Sequence, residues 1–158
     1  MDRIGFAKDI HKMVAGRPLI LGGIHIPFEK GLLGHSDADV ILHALAEAIL
    51  GALALGDLGK HFPDTDAAYK DIDSSLLVKK AVTLMKNEGY TVGNADISLV
   101  LEKPRVAPYI EKMRNHIAAL LEVPVSSVSV KAETNEGLGE IGRGEAAEAS
   151  AVVLLRKV

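Results

Sequence analysis

Asp9-Ile10-His11 stands near the start of the chain, and His43 falls in the first turns of a later helical stretch. In an extended segment, residues two apart project to one face, so Asp9 and His11 can reach a common point. One imidazole from elsewhere completes a set of two nitrogens and a carboxylate oxygen. Such a set is typical of a catalytic zinc that keeps its fourth position open. An Asp-x-His pair also recurs by chance, and a lone helical His is more often packed or at the surface. The metal reading therefore leans on the residues that accompany these three.

Three further segments carry chemistry. Gly31 to Val40 sets His35 and Ser36 just before a helix N-terminus, where free N–H groups and the helix dipole attract phosphate. Capping by Ser36 or Asp37 is the alternative use of the same residues. Glu47, one turn beyond His43, is placed either to orient the His43 ring or to sit in solvent. The segment Gly56-Asp57-Leu58-Gly59-Lys60-His61-Phe62-Pro63-Asp64-Thr65-Asp66 offers carboxylates that can accept hydrogen bonds from sugar hydroxyls. Its glycines permit close backbone approach. Lys131 to Gly139, with Glu133, Thr134 and Glu136, could hold Mg²⁺ on a diphosphate, since magnesium takes one or two carboxylates plus phosphate oxygens. The plainer reading is a polar loop between two strands.

These residues need a scaffold, and the pattern of the chain supplies one. Arg3 to Lys8 reads as a short strand. Pro18 to Leu21, Gly22-Gly23 and Ile24 to Pro27 read as a hairpin, because a Gly-Gly pair provides the positive φ angles of a tight turn. Asp37 or Asp39 can cap a helix running to about Leu53, with apolar residues near helical spacing. Gly56 to Asp73 reads as a loop, Ser74 to Glu88 as a helix closed by Gly89, and Tyr90 to Glu102 as a strand. A helix from about Ala107 to Leu121 and strands over Val128 to Glu133 and Ala146 to Leu155 complete the pattern. Strands and helices share the chain with antiparallel-looking connections, which predicts an α+β fold.

At 158 residues the chain is expected to form a single domain over residues 1–158, able to bury roughly two thirds of its unfolded surface. It has no cysteine, which excludes disulfides and thiolate ligands and leaves nitrogen and oxygen donors for a metal. A net charge of -3 argues against a general nucleic-acid binder. The longest apolar stretch, Val40 to Leu55, is interrupted by His43 and Glu47 and is too short to span a bilayer. The N-terminus lacks the apolar core of a signal peptide. A soluble, cytoplasmic protein with neither membrane nor nucleic-acid partner is the expectation.

Taken together, the segments resemble the 2-C-methyl-D-erythritol 2,4-cyclodiphosphate synthase family of the non-mevalonate isoprenoid pathway. The matching stretches are Asp9 to His11, Ile24 to Pro27 with Glu29 to Leu33, and His35 to Asp37 through His43 to Leu45. They continue with Gly56 to Gly59, Phe62 to Asp66, and Lys131 to Gly139 with Gly142 to Glu145. They cover essentially the whole chain in the family's order and spacing.

The resemblance implies a mixed β-sheet packed against helices, assembled as a homotrimer with active sites between neighbouring subunits. It implies zinc on Asp9, His11 and His43, and Mg²⁺ or Mn²⁺ on the substrate diphosphate, held by Glu136. His35 and Thr134 match the catalytic pair that stabilises the transition state, with Ser36 near the phosphate. Asp57 and Gly59 match contacts to the ribose, and Phe62, Pro63, Asp64, Thr65 and Asp66 the loop over the methylerythritol. The cytidine side matches Leu101, Arg105, Val106, Ala107, Glu133 and Thr134, and Arg143 is a further candidate substrate contact. Asp9 and His11 also face the substrate in this match. The implied reaction cyclises 4-diphosphocytidyl-2-C-methyl-D-erythritol 2-phosphate with release of CMP. It needs no protein nucleophile, which suits a chain without cysteine and without a Ser-His-Asp pattern.

The chain departs from the family at four positions. Ala7 and Lys8 stand where a glycine and an aromatic are usual, Arg105 where a lysine is common, and Glu140 where an aromatic often faces the central cavity of the trimer. Two other classes of function stay open on the residues: a zinc hydrolase that activates water, and a non-catalytic nucleotide-binding trimer of the same fold.

Overall fold

A strand of thirteen residues, β1 (Arg3–Ala15), runs through the whole molecule and organises it. The computed structural model describes residues 1–158. After β1 come β2 (Leu19–Leu21), β3 (Ile24–Ile26), β4 (Lys30–Leu32), α1 (Val40–Ala52), the short α2 (Leu58–His61) and α3 (Ser74–Asn87). Then follow β5 (Tyr90–Val100), α4 (Ile110–Leu121), β6 (Val128–Glu133), the short α5 (Gly139–Gly142) and β7 (Ala146–Lys157). Five strands form a mixed sheet in the order β4-β1-β7-β5-β6, with only the β5–β6 pair parallel. The expected α+β class holds. The hairpin of β2 and β3 stands apart as its own small sheet, turning at Gly22 and Gly23, both at positive φ.

Alternation along β1 decides where the helices go. Gly5, Ala7, Asp9, His11 and Met13 share one face, and Gly5, Ala7 and Met13 are buried. On the neighbouring strand, Ala147, Ala149 and Ala151 lie opposite His11, Asp9 and Ala7. All three alanines are fully buried. Small side chains let α1 lie close on β1 and β7. At Gly5 no side chain is possible, because a Cβ there would fall inside the carbonyl of Ala48 on α1. With only 4% aromatic residues, alanine and aliphatic side chains fill the core, as the composition predicts. α3 packs on α1, and α4 on α3 and β6.

Helix α1 starts at Asp39, not Asp37. The fully buried Asp39 carboxylate accepts from the N–H groups of Leu42, Gly22 and Gly23, so one side chain caps the helix and pins the hairpin to it. Burial pushes its pKa up to about 6, against the pull of the Gly23, Leu42 and Gly22 N–H donors.

Three expectations need correction. The first strand does not end at Lys8 but continues to Ala15, because Lys8 to Lys12 pair with Ser150 to Ala146 on β7 and Met13 to Ala15 with β4. The Gly56 to Asp73 segment holds α2, capped by Asp57, and a 3₁₀ turn over Ala67–Tyr69, capped by Asp66. Strand β5 ends at Val100, two residues before the expected Glu102. The other face of the sheet leaves Ile4 (73% exposed), Phe6 (63%), Ile10 and Val152 open. No helix is long and apolar enough to cross a membrane.

Candidate metal centre and nucleotide cavity

Because β1 is extended beyond Lys8, Asp9 and His11 project from its inner face towards α1, where His43 sits one turn into the helix. Asp9 Oδ2 lies 3.1 Å from His11 Nε2 and 3.2 Å from His43 Nδ1, and the two ring nitrogens are 3.3 Å apart. The rings stand edge to face, interplanar angle 88°. Asp9 Oδ2 is buried with no well-directed hydrogen bond. A buried oxygen and two facing imidazole nitrogens set three potential ligand atoms around one point. These three residues can hold a divalent metal ion.

Charge at the group follows the same geometry. Burial alone would raise the Asp9 carboxyl, but the adjoining imidazoles of His11 and His43 outweigh it and hold it at about 2. Burial opposes protonation of His43, and the Asp9 carboxylate beside it, helped by the charges of Asp39 and Asp37, raises its pKa nonetheless. The three carboxylates, Asp9 first, thus make His43 more basic.

The orientation of His43 does not come from Glu47, for which the sequence leaves ring orientation and a solvated position both open. Glu47 does not reach the ring; its Oε1 accepts from the N–H of Leu58 at 3.2 Å and fixes the start of α2. His43 Nε2 instead meets Ser36 Oγ and Ser74 Oγ, each at 2.9 Å. Ser74 escaped notice in the sequence because it reads as an ordinary first residue of a helix. Its nearness to Asp37, 37 positions earlier in the chain, left no local signal.

The group opens into a cavity of about 490 Å³ that also takes in His35, Ser36, Gly59, Phe62, Pro63 and Asp64. His35 donates through Nε2 to the Asp66 carbonyl at 2.9 Å, and Asp71 N–H donates to the His35 carbonyl at 2.7 Å. Phe62 stacks edge-on against Tyr69, ring centroids 5.3 Å apart. Asp57 Oδ1 caps α2 through Lys60 N–H, and Asp66 caps the 3₁₀ turn. Asp57, Thr65 and Asp66 stand in this segment without lining the cavity.

A second, separate cavity of about 250 Å³ is lined by Leu101, Glu102, Arg105, Val106, Ala107, Glu133 and Thr134, with Pro104, Ile110 and Ala132. It holds every residue expected on the cytidine side. Thr134 Oγ1 accepts from Glu136 N–H at 3.2 Å, and Glu136 adopts a left-handed φ of 54°. Glu102, within the Leu101 to Ala107 stretch expected on the cytidine side, also holds this turn: its Oε1 accepts from Asn135 N–H at 2.6 Å and Gly137 N–H at 3.4 Å. Glu136 lines neither cavity. Arg143 also stands apart, paired with Glu145 at 3.2 Å. Within one chain, then, His35 and Thr134 line different cavities.

The YgbB family model matches residues 2–156. A 2-C-methyl-D-erythritol 2,4-cyclodiphosphate synthase of Chloroherpeton thalassium is 60% identical over 156 residues, covering 99% of both chains. The chain belongs to the YgbB family. Family members of known structure share its fold closely. The bifunctional IspDF from Campylobacter jejuni superposes with a TM-score of 0.96 at 37% identity, over 100% of this chain and 43% of that longer one. The Plasmodium falciparum IspF in complex with CDP does so with a TM-score of 0.87 at 34% identity, over 99% of this chain and 96% of the other. Like the synthases of the YgbB family, the chain is an enzyme of the phosphorus–oxygen lyase kind.

Proposed function

We propose that the chain converts 4-diphosphocytidyl-2-C-methyl-D-erythritol 2-phosphate to 2-C-methyl-D-erythritol 2,4-cyclodiphosphate and CMP, in the non-mevalonate isoprenoid pathway. An oxygen of the 2-phosphate attacks the β-phosphorus, the bond from that phosphorus to the bridging oxygen breaks, and CMP leaves with the oxygen. No water is consumed and no protein group is acylated or phosphorylated. The observation that carries this reading is the converging Asp9–His11–His43 group at the floor of the larger cavity, in a chain 60% identical to such a synthase.

Asp9, His11 and His43 would hold zinc. Their separations of 3.1 to 3.3 Å lie near the edge of a tetrahedron with bonds of about 2.0 Å, which is about 3.3 Å. When bound, zinc supplies Lewis-acid polarisation of a phosphate oxygen at its open position. Glu136, a lone exposed carboxylate, would hold Mg²⁺ or Mn²⁺ only together with phosphate oxygens, as magnesium prefers. His35 and Thr134 align the reacting phosphates, Ser36 lies beside them, and Asp57 and Gly59 take the ribose. Phe62 to Asp66 close over the methylerythritol, and Leu101, Arg105, Val106, Ala107 and Glu133 receive the cytidine. Arg143 is a further substrate contact. Rate enhancement comes from alignment and charge neutralisation.

His43, Ser74 and Asp37 do come together, but not as a hydrolytic triad. The Ser74 hydroxyl donates to Asp37 Oδ1 at 2.5 Å and is fully buried, so it has no path to a substrate and no base on its proton side other than a carboxylate.

The active site is shared between subunits of a homotrimer. Two features support this: the division of His35 and Thr134 between separate cavities, and the apolar group of Ile4, Phe6, Ile10 and Val152 on the open face of the sheet. Incubation with the diphosphocytidyl substrate, followed by CMP release and phosphorus NMR, tests the reaction. A cyclic diphosphate is the expected product; linear phosphates would mark a hydrolase instead, and no turnover a binding protein.

A further inference from the structure

His43 can coordinate a metal through Nδ1 only if its single proton, in the neutral ring, sits on Nε2. Two hydroxyls lie against Nε2, and a hydroxyl can donate or accept. Ser36 leaves the matter open: its Oγ accepts from Ala38 N–H at 3.1 Å, and its own proton can go either to His43 Nε2 at 2.9 Å or to Ser74 Oγ at 3.5 Å. If Ser36 donated to Nε2, the ring proton would move to Nδ1 and block the metal.

Ser74 is different. Its hydroxyl proton is committed to Asp37 Oδ1 at 2.5 Å, and an ionised carboxylate has nothing to donate in return. Towards His43, at 2.9 Å, Ser74 Oγ can therefore only accept. Asp37 is itself held firmly, accepting from Asp39 N–H at 3.1 Å on Oδ1 and from Ser74 N–H at 3.0 Å on Oδ2. It grips the backbone at the start of α1 and the first residue of α3 together.

We propose that Ser74 and Asp37 act as positioning residues for the metal centre, through a relay from His43 Nε2–H to Ser74 Oγ–H to Asp37 Oδ1 that fixes the tautomer and ring orientation of His43. The direction of every hydrogen bond in the relay follows from the carboxylate at its end. It places a negative charge two hydrogen bonds away from the ligating nitrogen, with a hydroxyl interposed where many metal sites set the carboxylate directly on the imidazole. Ser36 is the weaker of the two neighbours because no carboxylate commits its proton, which can turn to His43 Nε2 or to Ser74 Oγ.

This inference rests on the metal reading of Asp9, His11 and His43, and the test separates the two. In the metal-free protein, side-chain ¹⁵N spectra at a pH where His43 is neutral should show a single Nε2–H tautomer, with Nδ1 unprotonated and facing His11 Nε2 at 3.3 Å. Ser74→Ala should give a mixture of tautomers. With cobalt(II) as the probe, Ser74→Ala should weaken binding by about ten- to a hundredfold and shift the ligand-field bands. Adding Asp37→Asn to Ser74→Ala should cost little more, because residues acting in series are not additive. A Ser74→Ala protein that keeps a pure Nε2–H tautomer and wild-type cobalt affinity would overturn the relay and hand the role to Ser36. If the wild-type protein took up no cobalt, the metal reading would fall, and the tautomer spectra would still decide the relay.

Discussion

Asp9, His11 and His43 sit in the middle of a long strand and a buried helix, among residues whose own packing allows no play. Thr134, Asn135 and Glu136 sit on a turn with Glu136, Gly137 and Gly139 all at positive φ, and Thr134 and Glu136 are exposed. The ligand group is ready before anything binds: its donor atoms already lie within 3.3 Å of one another. The turn is held by its edges, through Glu102 and through the close pass of Gly142, and offers its hydroxyl and carboxylate to solvent. In the shared site proposed above, the two regions would meet different needs. Metal ligands must be placed to within tenths of an ångström, whereas groups that meet a substrate or a neighbouring subunit can take their final position from it.

The sharpest way to break the comparison is to remove a ligand. His43→Ala should abolish metal retention, by more than the roughly hundredfold typical of losing an outer partner, and with it the activity, while leaving the fold intact. Metal analysis of the purified variant checks this, and full occupancy would remove His43 from the coordination sphere.

Gly142→Ala should do the reverse. A Cβ at Gly142 would run into the backbone of Gly137, so the Thr134–Gly139 turn must shift. A displacement of about 1 Å costs about a hundredfold in rate, with metal content unchanged. Metal loss in this variant would show that the two regions are not independent.

A milder effect is expected from Glu136→Gln. An amide is a poorer ligand for a hard cation than a carboxylate, so the Mg²⁺ or Mn²⁺ concentration needed for activity should rise severalfold while zinc stays in place. An unchanged titration would remove Glu136 from that ion.

Least effect on catalysis, but a clear one on stability, is expected of Asp39, which only the ligand-bearing region possesses. Its folded pKa of about 6 lies above the unfolded value of 3.8. The folded state therefore binds the proton more tightly, and this contribution is complete below the unfolded pKa and lost as pH rises through the folded one. The difference in unfolding free energy between wild type and Asp39→Asn should fall by up to about 3 kcal/mol between about pH 4 and about pH 7. Denaturant unfolding at both pH values measures it, and a flat difference would mean the carboxylate is compensated by its three N–H donors.

Much of the ligand-bearing region was legible in the sequence because its signals are local. Asp9 and His11 are two apart, His43 follows a capped helix start, and the Gly22-Gly23 turn announces its hairpin. The far end of β1 was not legible: Lys8, Asp9 and Lys12 are poor strand formers in isolation, and pairing with β7 keeps them extended, as pairing with β4 does Met13 to Ala15. What Ser74 and Glu102 hold was illegible for a related reason. Each acts across more than thirty positions of chain, on Asp37 and Asn135 respectively, and a helix-starting Ser or a loop Glu looks ordinary without that partner. The parallel pairing of β5 with β6 corrects the antiparallel reading of the connections, and its signal was present: a helix, α4, lies between the two strands, the crossover that parallel neighbours need.

The shared site is the claim on which the comparison finally turns, and co-assembly of two inactive variants tests it most directly. His43→Ala spoils the ligand half of each site, and Thr134→Ala the other half. In a random reassembly of equal amounts, half the ligand halves are intact and half the neighbouring turns are intact, so about one site in four is whole. Activity should return to about a quarter of the wild-type level after dissociation and reassembly, and should not return on simple mixing of stable trimers. Reassembled trimers as inactive as their parents would contradict the shared site, and each chain would then have to supply both halves itself.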